Sequence, residues 1–282
     1  MKTAYKFAIP FFVLLFVLNN ESQRQEKTKN IQNSSNPKTD QSFINKNFEY
    51  AQGAIIRGDR NKKDLALVFT GDEFADGGEH IKKVLSKYQI KASFFLTGNF
   101  YRNQAFKAII SGLKSDKHYL GAHSDKHLLY CDWNKRDSSL VSKEQFFADL
   151  ENNYLMLEKF GIKRSQAKYF LPSYEWYNRM IADWTQQFGS TLVNFSPGTK
   201  SHTDWTYPAM GKGYQSSDEI LKSILNFEKQ QPVGLNGFIL LLHIGTDARR
   251  TDKFYSKLEE LILELKRREY SFKRIDELLT PK

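Results

Sequence analysis

Between residues 65 and 275 the chain alternates short apolar runs with stretches of helical spacing, and this alternation limits its folds more than any other feature. The runs are 65–70, 92–97, 119–122, 167–171, 191–195, 237–243 and 270–275. Several are apolar at consecutive positions, as strands covered on both faces must be. Between them, 79–88, 106–113, 143–160, 178–188, 217–231 and 254–268 place apolar residues three and four apart, which predicts helices with one buried face. Gly161 and Gly189 stop two of these helices. Such strand–helix units build a parallel sheet, and right-handed crossovers leave an α/β fold that is either doubly wound or a barrel. In both, the working face lies at the C-terminal ends of the strands.

Polar residues gather at those ends. Asp72 and Glu73 follow the first strand, and His123, Ser124 and His127 follow the third. Tyr174, Glu175 and Trp176 follow the fourth, Asp204 and Trp205 lie in the loop beyond the fifth, and His243 ends the sixth. Five separate segments thus deliver ionisable or aromatic groups to one predicted mouth. His123 and His127 are four residues apart and can turn both imidazoles to one point. Two imidazoles and a carboxylate make a three-ligand site for zinc or a neighbouring divalent ion, with one position left open. Asp72 or Glu73 supplies that carboxylate, which frees the other to take a proton from water. His243 is placed to give a proton to a leaving group. Trp176, Tyr177 and Trp205 offer faces on which a sugar ring can stack.

The N-terminus reads differently. Lys2 and Lys6 lead into an apolar run at 7–18, short for a bilayer span and suited to the core of an export signal. Residues 1–20 are therefore read as a signal peptide or an N-terminal anchor, which makes the protein periplasmic, secreted or cell-surface. Residues 21–47 are rich in Gln, Asn, Ser, Lys and Thr and read as a flexible linker. Residues 48–282 form the catalytic domain, with no further membrane-spanning segment expected. Lys and Arg number 42 against 32 Asp and Glu, a net charge of +10. A basic chain suits nucleic acid, anionic membranes or glycans. No basic run interleaved with aromatics and no nucleic-acid motif occurs, so nucleic acid is set aside as a partner. A single cysteine excludes an intrachain disulfide and a Cys-rich zinc module. The chain carries no signature of an oligomeric state.

The order of these segments resembles the polysaccharide deacetylase (NodB-homology) family, carbohydrate esterase family 4, over residues 62–278. The motifs that carry the resemblance are Thr70-Gly71-Asp72-Glu73, His123-Ser124-Asp125-Lys126-His127, Leu171-Pro172-Ser173-Tyr174, Asp204-Trp205, and an apolar strand ending in His243. The resemblance implies a distorted (β/α) barrel of about seven parallel strands. It implies Asp72 as general base, Glu73, His123 and His127 as ligands of a divalent metal (zinc, with cobalt and nickel as alternatives), and His243 as general acid. It also implies that the Tyr174 N–H faces the oxyanion, that Ser124 orients the histidine loop, and that Asp204 holds the ring of His243. The chain departs from the family pattern at Glu73, where Asp is usual, and at Gly71, where an aromatic is usual. Leu171 stands in place of an Arg that pairs with the catalytic Asp. Gly71 is expected to open space beside the base, and Lys168, Arg179 or Lys126 to supply the missing cation. Glu175 adds an acid beside the site, and with Trp176, Trp205 and Ser124 it is assigned to substrate.

The function this implies is an exported, metal-dependent hydrolase that removes acetyl groups, N-acetyl before O-acetyl, from a polysaccharide. The departures motivate a second class, a catalytically impaired glycan-binding protein on the same scaffold. A phosphoesterase would want convergent arginines, and the predicted mouth has none.

Overall fold

The computed structural model describes residues 45–280. The predicted export segment and most of the linker lie outside the described residues, and the compact unit comprises Asn45–Lys282. No helix among the described residues is long and apolar enough to cross a membrane.

The sheet order is β1 (Glu49–Ala51), β2 (Ala54–Arg57), β8 (Phe238–His243), β3 (Asp64–Gly71), β4 (Ser93–Leu96), β5 (Tyr119–Ala122), β6 (Tyr169–Phe170) and β7 (Thr191–Leu192). The six strands from β8 to β7 run parallel, and β2 lies antiparallel to β8. Ile55 of β2 also bridges to Val193, just past β7, so the two ends of the curled sheet meet.

The alternation of side chains explains the continuous apolar runs. On β3, Leu65, Leu67 and Phe69 pack outward with helix residues such as Ile81, Leu85 and Ile110. Ala66 and Val68 point inward with Phe95, Leu171, Ile239 and Leu241. The next inward residue on β3 is Thr70, paired in register with His243, so chemistry begins where the inner core stops. The Thr70 hydroxyl is buried with no hydrogen-bond partner among the described residues.

Several elements differ from expectation, and the predicted strands 167–171 and 191–195 extend only over Tyr169–Phe170 and Thr191–Leu192. The hairpin β1–β2 turns through Gln52 and Gly53, both at positive φ, a two-residue turn without the Asn-Gly signal that marks such hairpins. The predicted strand 270–275 shrinks to β9 (Ser271–Phe272). It pairs only with Asp64 and Leu65, because β8 and β4 occupy the rest of β3. The chain then turns into the helix Ile275–Leu278.

The helix Lys143–Lys159 matters most for the site. Ser142 caps it and Gln145 returns the hydrogen bond to the Ser142 N–H, a reciprocal pair worth about 1 kcal/mol. Its inner face carries two buried polar residues, Asp149 and Asn153, among apolar ones.

Candidate active site

Immediately after β5 the chain enters the histidine loop, which that helix holds from behind. Asn153 accepts the His123 N–H at 2.7 Å, and its amide donates to Leu96 O at 3.2 Å. Asp149 accepts from the Asp125 N–H, the Lys126 N–H and the Tyr130 hydroxyl, at 3.0, 3.0 and 2.7 Å. Asp125 is itself paired with Arg102 at 2.6 Å. Ser124 sits in the loop at φ 76°, its hydroxyl accepting the Leu128 N–H. Sequence reading did not single out Asp149 or Asn153. Their signal was a polar pair four residues apart on an otherwise apolar helix face.

His123 is buried, and its Nδ1 lies 2.8 Å from Leu171 O. A carbonyl can only accept, so Nδ1 carries the proton and Nε2 is a bare acceptor. Burial, with the neighbouring His127, pushes the His123 pKa well below the ordinary value and keeps the ring neutral. His127 follows at φ 54°, its ring centroid 5.3 Å from that of His123. Its Nδ1 stands 3.8 Å from Asp72 Oδ2, and burial lowers its pKa more than Asp72 raises it. Asp72 is fixed through Oδ1 by the Thr97 hydroxyl at 2.6 Å and the Asn99 amide at 3.3 Å.

Opposite, Tyr174 and Glu175 take consecutive left-handed conformations, φ 59° and 54°. Each costs a non-glycine residue on the order of 1–3 kcal/mol, a cost that persists where the surroundings dictate it. With Ser124 and His127, four residues around this mouth are held at positive φ. The turn lays the Tyr174 ring on His127, centroids 4.3 Å apart, and sends the Glu175 carboxyl inward to 4.0 Å from His123 Nε2. Burial lifts the Glu175 pKa to about 7, against the pull of His243.

His243 closes β8 under two contacts with one carboxylate. Asp204, itself buried, accepts the His243 backbone N–H at 2.9 Å and the ring Nδ1–H at 2.6 Å. Burial opposes the charge on this ring, but Asp204 outweighs it and the pKa rises above the ordinary value. The ring is thus held in one tautomer with Nε2 free to carry a transferable proton.

Glu73 does not join this group. It is exposed and lines a separate groove with Phe74, Asp76, Phe106 and Thr246. The trio Glu73, His123 and His127 therefore makes no metal cradle. Among the described residues, no three His, Cys, Asp or Glu side chains are arranged to hold one ion. Among the described residues the donors around the histidine loop come as two pairs, His123 with Glu175 and His127 with Asp72. The chain leaves β3 so that Asp72 turns to the mouth and its neighbour turns away. Gly71 opens no space either, since a Cβ there would lie 2.6 Å from Ile244 Cγ2 and 2.9 Å from Leu96 Cδ2. Leu171 is buried in the inner core, and among the described residues no Lys or Arg pairs with Asp72. Arg179 pairs with Asp183, Lys126 lies 4.0 Å from Asp125, and Lys168 is exposed.

Of the aromatic candidates, Trp176 donates its indole N–H to Asp132 O and lies against Trp133, while Trp205 is 44% exposed beside Asp204. Tyr177 is buried and reaches Ala51 O, so it is structural.

Residues 57–193 match the family model described as polysaccharide deacetylase. The uncharacterized protein YlxY of Bacillus subtilis (strain 168) is 26% identical over 229 residues, 80% of this chain and 60% of its own length. The chain thus spans less than two thirds of that relative. The peptidoglycan-N-acetylmuramic acid deacetylase PdaA of the same organism is 25% identical over 226 residues, covering 79% of this chain and 74% of PdaA. Among solved structures, wild-type BA3943 of Bacillus anthracis, described as a CE4 family pseudoenzyme, superposes with a TM-score of 0.62. It is 19% identical, covering 82% of this chain and 70% of its own. At that identity the likeness is one of fold.

Proposed function

This chain belongs to the polysaccharide deacetylase family, and from that premise we propose that it is an exported hydrolase that removes acetyl groups, N-acetyl before O-acetyl, from a glycan. The observation that carries the reading is the Asp204–His243 pair facing a neutral imidazole and two carboxylates across one strand-end mouth. In this reading water adds to the acetyl carbonyl and gives its proton to Asp72, which Thr97 and Asn99 hold in place. The Tyr174 N–H, set by its left-handed turn, faces the oxyanion. The C–N bond then breaks, His243 protonates the departing amine, and acetate and free amine leave. Glu175 takes the place expected of Glu73 as the second carboxylate, buried where a proton can be held between His123 and His243. The apolar run at 7–18 behind Lys2 and Lys6 supports export.

A second reading has a specific observation behind it. Because no three donors meet among the described residues, the chain in this reading binds acetylated glycans without cleaving them. Acetate release decides between the two. Purified protein is incubated with N-acetylated and O-acetylated glycans, with and without added zinc, cobalt or nickel, beside Asp72→Asn and His243→Ala. Release that both substitutions abolish supports the hydrolase. Glycan retention with no acetate under any metal overturns it in favour of the binding protein.

A further inference from the structure

The histidine loop continues into a feature that the chemistry above does not use. Residues 130–140 fold back on themselves. Cys131 bridges to Ser139, and the Asp132 N–H donates to Ser138 O at 2.9 Å. The Asp132 carboxylate accepts the Asn134 and Lys135 N–H groups at 2.8 and 2.7 Å, a local turn that fixes the tip. Trp133 stands on that tip with 53% of its surface exposed.

An exposed indole on a loose loop would mean little. This one is layered. Its ring stacks on Trp176, centroids 5.4 Å apart and planes 30° from parallel. The Arg136 guanidinium also lies over the Trp176 ring, 4.2 Å from its centroid. Arg136 donates to Tyr177 O at 2.7 Å, and Trp176 donates to Asp132 O at 3.1 Å, so both lower layers are pinned. The edge of Trp133 meets Tyr174 at 5.7 Å, and Tyr174 lies on His127. A continuous aromatic path therefore runs from an imidazole of the site to an open indole face.

We propose that Trp133, backed by Trp176 and flanked by Tyr174, is the floor of a sugar-stacking subsite for the glycan residue next to the one that is deacetylated. The inference rests on the deacetylase reading and adds a position to its substrate. Three features select a sugar. The platform is continuous with the site, so its occupant is joined to the substrate. An indole face matches the apolar C–H face of a pyranose while leaving the hydroxyls in water. The cation in the stack, Arg136, is engaged with the Trp176 ring and the Tyr177 carbonyl, so the stack itself presents an aromatic face and not a charge. The stack is built before ligand arrives, so little ordering entropy opposes binding.

The test measures binding of N-acetylglucosamine and its β-1,4-linked dimer, trimer and tetramer by calorimetry, beside Trp133→Ala and Trp133→Phe. Trp133 is exposed, and matching far-ultraviolet circular dichroism and melting temperature confirm that both variants fold. Loss of one aromatic platform is expected to weaken the oligomers by about tenfold in Trp133→Ala, the equivalent of about 1.4 kcal/mol. Monomer affinity is expected to stay unchanged, and Trp133→Phe to restore most of the loss. On a cleaved oligomer the change appears in KM and not in kcat. Equal oligomer affinity in wild type and Trp133→Ala, with acetate still released, overturns the subsite and leaves the deacetylase reading standing. A wild-type protein that neither binds nor cleaves these glycans, nor any of the N-acetylated and O-acetylated glycans of the acetate assay, overturns both.

Discussion

Glu175 carries a cost that can be measured without any substrate. Its pKa rises from 4.5 in an open chain to about 7 in the fold, because burial strips water from the carboxylate. The native state therefore holds the proton more tightly than the unfolded chain. Its relative stability is complete below pH 4.5 and is lost as the pH rises through 7. At about 1.4 kcal/mol per pKa unit, that rise corresponds to about 3 kcal/mol at pH 8.5. Glu175→Gln keeps the shape and removes the charge. In the presence of a chelator, it is expected to melt close to wild type at pH 4.5. At pH 8.5 it should melt above wild type by about 6–12 °C, given about 2–4 °C per kcal/mol for a domain of this size. Thermal unfolding followed by circular dichroism at both pH values is the assay. An identical difference at the two pH values would refute the reasoning, because it would mean that the carboxylate is solvated or paired in the native state.

Other expectations follow from the same contacts. Asp204→Asn should lower the pKa of His243 below its ordinary value, read by NMR titration of the ring, and should cut any acetate release by at least about tenfold. Asp149→Ala leaves the Asp125 and Lys126 N–H groups and the Tyr130 hydroxyl without their acceptor. It should cost about 3 kcal/mol or more in denaturant unfolding. Glu73→Gln, on an exposed side chain outside the mouth, should leave any acetate release within about twofold of wild type, whereas His123→Ala, which removes a buried ring of the mouth, should lower it by at least about tenfold.

The inner and outer faces of β3 and β8 were legible because a strand buried on both sides must be apolar at every position. The end of that run then marks where function can begin. His243 and the histidine pair sit at such ends, and the sequence order alone brings them to one mouth. Which of Asp72 and Glu73 faces inward was not legible. That choice follows from how the backbone leaves β3 beside Ile244 and Leu96, which are distant in sequence from the pair. The inward turn of Glu175 was hidden for a related reason. Nothing in Tyr174-Glu175 favours positive φ, so only the folded surroundings impose it. β9 failed as a predicted strand for lack of a free edge on β3, a property of the sheet and not of its own residues.

The turn at Tyr174 and Glu175 ties the two halves of the site together. One local conformation directs a ring onto His127 and a carboxyl toward His123, and the ring also contacts Trp133. A glycan residue pressing on Trp133 and Tyr174 would therefore act on the same two residues that place the buried carboxyl. Relaxing the turn to negative φ would relieve on the order of 1–3 kcal/mol per residue. It would also withdraw the carboxyl from His123 and the ring from His127 together. The burial cost at Glu175 and the backbone strain at its turn thus have a common origin. The turn is held by the Asn194 amide, which donates to Glu175 O at 2.8 Å, and by the Ser173 hydroxyl, which donates to Leu128 O in the histidine loop. Asn153 and Asp149 of the helix Lys143–Lys159 hold that loop in turn, so the geometry of the mouth depends on a helix that contributes no reacting group to it.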